Sequence, residues 1–331
     1  MATGRCDTTN CVEIETRTGR PVGTRTFVVV KPNRLDKALV ALAPDLTRSA
    51  GQRLIDQARV LVNGVVRDAS FRVQPRDAIA VDFPAPLAAT PQAESIALQV
   101  LYEDADVIAV NKPAGMVVHP AAGNTTGTLV NAMLAYAPDV AVVGDEARPG
   151  IVHRLDKETS GVLLVARHDG AYQALQSQFK TRMIKKTYLA LCVGTLDPER
   201  GVIRKPIARD LGERKRMAVV AGGRDAVTQY AVTEVFEGKD GNRAVQYSFV
   251  RAHPLTGRTH QLRVHLASVG HPIVGDAVYG AKKDALTRQL SPRQMLHSSE
   301  LIFISPSGGQ TLRVHAPMPE DMRRVLDALA S

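Results

Sequence analysis

Hydrophobic and polar positions change rhythm several times along the chain. Residues 1 to 26 show no apolar period and are rich in Thr, Arg and Gly, which predicts a mobile tail. From Arg34 on, Leu35, Leu39 and Leu42 recur at helical spacing until Pro44, and Leu54, Ile55 and Ala58 mark a second helix with Thr47 or Ser49 as candidate cap. VLVNGVV, residues 60 to 66, reads as a β-hairpin around Asn63-Gly64, because those residue types best tolerate the positive φ of a tight turn. These elements predict a small domain over residues 27 to 85. PAPLAATPQAES, residues 84 to 95, is broken by prolines and has little to bury, so residues 86 to 95 are expected to be a linker.

A larger domain is expected over residues 96 to 331. Strand-like apolar or alternating runs fall at 98–101, 107–110, 162–165, 188–193, 228–235, 245–250 and 301–304, and helical patterns near 128–136, 171–180 and 261–269. The strands come in hairpin-like clusters and do not alternate regularly with helices. That order predicts an α+β domain with a mixed, largely antiparallel sheet.

Composition narrows the class. With 331 residues and 44% hydrophobic content the chain can fill two cores. Its 42 Lys+Arg against 33 Asp+Glu give a net charge of +9, which suits a polyanion such as nucleic acid or an anionic membrane surface. No apolar run approaches the roughly 20 residues that cross a bilayer, and the opening stretch MATGRCDTTNCVEIETRTGR lacks the apolar core of a signal peptide. The expectation is a cytoplasmic protein with no membrane partner, monomeric by default. Cys6, Cys11 and Cys192 are an odd set, a poor disulfide framework and a poor zinc site.

The tetrapeptide Arg-Leu-Asp-Lys occurs twice, at 34–37 and 154–157. Asp36 falls in the first helix of a domain too small to enclose a substrate, where an acid near the helix start suits the dipole; its expected role is structural. Asp156 lies between the turn signals Pro149-Gly150 and Thr159-Ser160-Gly161, just ahead of the apolar run Val162 to Val165. Loops held by rigid strands are where reactive side chains sit. Arg154, Lys157 and a protonated His153 would favour the ionised carboxylate, although spacing alone reads equally as a reaction centre or a solvated ion-pair cluster. A glycosidase would need a second carboxylate, and Glu158, two residues along an extended segment, stands only about 7 Å away on the same side. A catalytically silent RNA-binding factor is also compatible with the charge. His260, His265 and His271 invite a zinc reading, but the first two are about 140° apart around a helix and share no face, so no metal is expected. Leu262, Leu266 and Val269 read as the core stripe of that helix.

HRLDKETSG (153–161) resembles the signature of the RluA family of RNA pseudouridine synthases. NKPAGMVVHPAAGN (111–124), KKTYLALCVG (185–194), TGRTHQLRVHLASVGHPIVGDAVYG (256–280) and HAPMPEDM (315–322) resemble further family stretches, in family order. The VVHP segment and KRMAV (215–219) look most like the RluD type, which acts on 23S rRNA of the large subunit. The parts in residues 27 to 85 are similar in order to the S4 RNA-binding domain, a small α/β module. The resemblance implies the pseudouridine synthase fold, isomerisation of specific uridines in 23S rRNA by base flipping and an essential aspartate, no cofactor, and rRNA or the assembling large subunit as partner.

Carried over position by position, Asp156 matches the catalytic aspartate, Tyr188 the stacking tyrosine and Arg263 the arginine that pairs with the aspartate. Arg154 matches the arginine that enters the space left by the flipped base, and His153 and His260 are expected to shape the loop. Arg48 and Arg53 on the S4-like helix, Lys185 and Lys186 leading to Tyr188, and Lys215 and Arg216 are expected to contact the RNA backbone. Together Asp156, Tyr188 and Arg263 speak against a silent binding factor.

Overall fold

The computed structural model of the chain describes residues 23–43, 46, 48–83, 91–121, 124–210, 212–213, 216–240, 243–280, 291 and 293–331. They fall into two compact units that divide at residue 88.

The first unit holds strands β1 (Gly23–Val28) and β2 (Asn33–Arg34), helices α1 (Leu35–Leu42) and α2 (Arg48–Asp56), and strands β3 (Val60–Val62), β4 (Val65–Val66), β5 (Arg72–Val73) and β6 (Ala78–Phe83). Leu35 and Leu39 from α1 meet Leu54 and Ile55 from α2 over Val60, Val62, Ile79 and Val81 of the sheet, so the helical and alternating periods seen in the sequence converge on one core. Asn63 and Gly64 have φ of 51° and 78°, and the Asn63 side chain ties the turn to Asp77 and to the Ala78 amide. Three expectations change. Ala58 does not belong to the second helix: α2 ends at Asp56 and Ala58 follows in a turn with φ of 57°. β1 starts at Gly23, inside the stretch read as a tail, because an exposed edge strand of Thr and Arg carries no apolar signal. Ser49 lies within α2 and is no cap, while Thr47 lies outside the described residues. Asp36 is buried beside Arg34 at 3.1 Å, a local structural pair.

The second unit is built on a nine-stranded sheet: β7 (Gln99–Glu103), β8 (Val107–Lys112), β9 (Ser160–Ala166), β10 (Lys185–Val193), β11 (Arg200–Arg204), β14 (Val227–Asp240), β15 (Arg243–Pro254), β16 (Leu296–Ile304) and β17 (Thr311–His315). A separate hairpin joins β12 (Ile207–Arg209) to β13 (Met217–Val219). Helices α3 (Leu129–Tyr136), α4 (Asp169–Lys180), α5 (Gln261–Ser268) and α6 (Glu320–Ala330) pack on the sheet. Strand order is β11-β14-β15-β10-β16-β9-β8-β7, with β17 also on β16, and the β16–β9 pair is parallel while the others are antiparallel.

β9 is buried on both faces, as its unbroken apolar run requires. Val162 and Leu164 face Leu175 of α4, and Leu163 and Val165 face Leu129 and Met133 of α3. Gly161 sits at φ +114° against Ser298; a Cβ there would lie 2.1 Å from the Ser298 carbonyl oxygen. This close approach seats the start of β9 against β16. α6, with Met322, Val325 and Leu329 buried at helical spacing, and strands β11, β12, β13 and β17 were not expected from the pattern. On α5, Leu262 and Leu266 are buried, but Val269 follows the helix end and is 37% exposed, so it does not extend the stripe. Among the described residues no helix is long and apolar enough to cross a membrane.

Candidate active site

The loop entering β9 carries Asp156, and buried cations hold its backbone from two sides. Lys112, at the end of β8, is fully buried and gives its ammonium protons to the carbonyl oxygens of Pro113, Met116 and Lys157 at 2.7, 2.9 and 3.1 Å. Burial pushes this lysine down to about 7. Arg293 donates to the Glu158 carbonyl at 3.0 Å and to Ser160 Oγ at 3.3 Å, while its Nε and Nη2 take both oxygens of Asp321 on α6 at 2.6 and 2.9 Å. The carboxylate is thus presented from a backbone with little freedom.

Arg263, on α5, reaches Asp156 Oδ2 with Nη1 at 3.1 Å. Its Nε and Nη2 form a two-pronged contact with Asp276 at 2.7 and 2.9 Å. Burial works against the Arg263 charge, but the two carboxylates outweigh it and raise its pKa. Asp276 is likewise pushed up by burial, yet Arg263 and the Val278 and Tyr279 amides bring it below the ordinary value. The Tyr279 ring lies under Arg263 with 5.1 Å from Cζ to centroid, and its hydroxyl meets His260 Nδ1 at 2.9 Å. His260 Nε2 stands 3.9 Å from Asp156 Oδ1, and burial lowers its pKa despite the opposing charge of Asp156.

Asp156, His260 and Arg263 line a cavity of about 520 Å³, within the range of small-molecule sites. Among the described residues lining it, Asp156 is the sole acid, facing Arg154, Lys180, Arg182, Lys186, Arg258 and Arg263. Lys186 and Tyr188 share one face of β10 and both reach the cavity, whereas Lys185 is exposed and does not line it. Lys186 donates to the Thr256 carbonyl at 3.2 Å, and burial brings it down to about 8. Tyr188 is pushed up to about 12 by burial and stays a neutral phenol near neutral pH.

Several sequence expectations are redistributed. Asp156 is not ringed by its sequence neighbours: its ion pair at 3.1 Å comes from Arg263, and Arg154 and Lys157 are exposed. His153 is no cation, because its Nε2 accepts the Leu164 amide at 2.9 Å, its ring stacks on Phe179, and burial drives its pKa to about 3. Arg216 does not line the cavity; its guanidinium lies 5.4 Å above the Tyr279 ring. The side chains of Arg48 and Arg53 and the whole of Lys215 lie outside the described residues. His265 meets Thr228 Oγ1 and the Lys205 carbonyl, and His271 the Val193 carbonyl, so the three histidines have separate partners. Glu158 does not line the cavity, which leaves the glycosidase reading without its second acid.

Lys112, Asp276, Tyr279, Arg293 and Asp321 were not singled out in the sequence. Asp276 and Tyr279 stand in the quoted stretch GDAVYG, and Lys112 ends the run VIAVNK. A charge closing a buried strand was the one available signal.

Comparison with known proteins gives the family. The profile described as RNA pseudouridylate synthase matches residues 106–268, and that of the S4 domain residues 33–79. An RNA pseudouridine synthase of Chloroflexus aurantiacus is 47% identical over 91% of this chain and 93% of its own. The chain belongs to the RNA pseudouridine synthase family. It is an isomerase that acts on uridine in RNA, and its fold is that of the family. The ribosomal large subunit pseudouridine synthase D of Zymomonas mobilis is 41% identical over 89% of this chain and 93% of its own. The solved human RNA pseudouridylate synthase domain containing 1 superposes with a TM-score of 0.54 at 27% identity, covering 72% of this chain and 97% of that one. The matched segment 106–268 contains Asp156, Tyr188 and Arg263.

Proposed function

We propose that this pseudouridine synthase modifies particular uridines of large-subunit ribosomal RNA, everting each target base into the Asp156 cavity and using Asp156 as an essential carboxylate. The observation that carries the reading is the isolation of Asp156: it is the sole acid among the described lining residues, aimed by Arg263 into a wall of cations. Those cations suit the phosphates on either side of a target nucleotide. The large-subunit assignment is supported by the name of the Zymomonas relative.

In the isomerisation the N1–C1′ bond breaks, the uracil turns, C5 bonds to C1′ and the C5 hydrogen is lost to solvent while N1 gains a proton. No atom is gained overall and no electron is exchanged, so the reaction needs no redox or energy-supplying partner. Asp156 serves either by attack on C1′ or by taking a proton from the ribose. A base inside a duplex is out of its reach, which is why eversion belongs to the reading. Tyr188 supplies a ring for the everted base to stack on, and Arg154, exposed at the cavity, fills the vacated stack.

The test uses large-subunit rRNA transcripts tritiated at uracil C5. Tritium release by the wild type and none by Asp156→Ala supports the reading. Equal release by both removes Asp156 from the chemistry, and release from small-subunit but not large-subunit transcripts overturns the substrate.

A further inference from the structure

We propose that the cavity takes a second nucleotide beside the everted uridine, and that His153 reads its base, favouring the keto bases uracil and guanine over the amino bases cytosine and adenine. The inference rests on the reading of the Asp156 end as the seat of the everted uridine. The cavity has two centres. At one, Asp156 meets Arg263 and His260, with Tyr188 near enough to feel the Asp156 charge. At the other, His153 stacks on Phe179 with 4.6 Å between ring centroids, close to Lys186. Lys186 precedes Tyr188 by two residues on β10, about 7 Å along the strand. One nucleotide of a splayed RNA strand spans such a step. Beyond His153 the strand has a way out: a second hollow of about 510 Å³ shares Val152 and Lys180 with the cavity and continues along Gln173, Gln176 and Ser177. These three are exposed on one face of α4, at helical spacing.

What His153 can offer is fixed by its other contacts. Nε2 accepts the Leu164 amide at 2.9 Å, so the ring proton sits on Nδ1. A second proton would set hydrogen against hydrogen at Nε2, and burial opposes the charge as well, which keeps the imidazole neutral with its pKa at about 3. Nδ1 has no partner among the described residues and is not one of the enclosed unpaired atoms. Phe179 covers a face of the ring, which leaves the edge for hydrogen bonding. His153 therefore presents to the cavity it lines one N–H donor and no acceptor. A base edge opposite that donor must bring a lone pair. Uracil O4 and guanine O6 supply one where cytosine and adenine carry an amino group, which would face donor with donor. Lys186 and Arg182 line the same end and suit the phosphate that joins the two nucleotides, but phosphate contacts carry no base preference. The preference falls to the neutral donor.

The experiment first locates, by carbodiimide mapping of a large-subunit rRNA transcript, a uridine that the wild type converts. The nucleotides on its two sides are then changed, one at a time, to each of the four bases. Conversion is measured as kcat/KM with wild type and His153→Gln, with thermal melts of both. Gln keeps an oxygen to accept the Leu164 amide but puts no donor where Nδ1 stood. At one of the two positions the wild type is expected to convert sites with a keto neighbour about tenfold better than sites with an amino neighbour. His153→Gln is expected to shrink that ratio to about twofold or less, whereas a merely structural histidine would slow all four RNAs alike. A wild type indifferent to both neighbours overturns the inference, and that arm depends on no variant. So does a cooperatively melting His153→Gln that keeps the preference. Should His153→Gln not fold, His153→Asn, which sets an amide donor near the place of Nδ1, is expected to keep the preference, and its loss there counts against the proposal. Asp156→Ala separates the two claims: conversion by it at the wild-type rate sinks the reading of Asp156, whereas an inert Asp156→Ala beside an indifferent wild type sinks this inference alone.

Discussion

Lys112 Nζ donates to the carbonyl oxygen of Lys157 at 3.1 Å, so the backbone one step beyond Asp156 hangs from the end of β8. Replacing Lys112 by Met strips that carbonyl and those of Pro113 and Met116 of their donor. The expected outcome is a loss of about 3 kcal/mol in urea unfolding and a kcat at least about tenfold lower with RNA affinity unchanged. Wild-type turnover by a folded Lys112→Met would show that the loop holds its geometry without the lysine.

Gly161→Ala should be among the most damaging single-methyl additions in the chain. The new Cβ would meet the Ser298 carbonyl at 2.1 Å, and φ is +114°. Backbone cannot step aside as a side chain can, so a loss of about 3 kcal/mol or more is expected, read as a fall in melting temperature.

Tyr188 can be split into ring and hydroxyl. Tyr188→Leu removes the stacking surface and is expected to raise KM about tenfold or more, while Tyr188→Phe keeps KM within about threefold. Equal KM effects in the two variants would assign the contribution to the hydroxyl.

His297 is fully buried, bonded to Ser160 Oγ and to the Ala316 carbonyl, and burial takes it down to about 4. The unfolded chain therefore gains this proton near pH 6.5 and the folded protein only near 4. The sign follows: the stability is whole above pH 6.5 and falls as pH drops toward 4, by about 1.4 kcal/mol per unit for one group. Urea unfolding at pH 7 and pH 5 should show the decline, and His297→Gln should show a shallower one. Parallel slopes would take His297 out of the acid sensitivity.

Legibility in the sequence tracked burial. β9 was plain in VLLV because both its faces are covered, and the Asn63-Gly64 turn was plain because its chemistry is local. β14 and β15 run well past their apolar stretches, since their outer parts alternate with exposed polar residues. α6 was missed although its stripe is regular, because a short apolar stripe in an acidic and basic stretch gives weak contrast. Asp156, Tyr188 and Arg263 were found by resemblance and the cavity brings them together. The cations beside Asp156 in sequence misled, because the arginine paired with it comes from 107 positions away. Lys112 and Asp276 were hard to read for another reason: their partners are backbone carbonyls and a guanidinium on a separate element, which apolar periodicity does not record.

The parallel contact between β9 and β16 has a consequence for synthesis. On the β16 side Ser160 and Gly161 pair with His297 and Ser298, and the second grip on the Asp156 loop arrives with Arg293 and Asp321. A ribosome translating this chain must therefore have passed codon 321 before the reactive loop is fully braced. Nascent chains still short of that point can carry the S4 domain and every residue of the 106–268 segment and yet lack a finished floor beneath the aspartate.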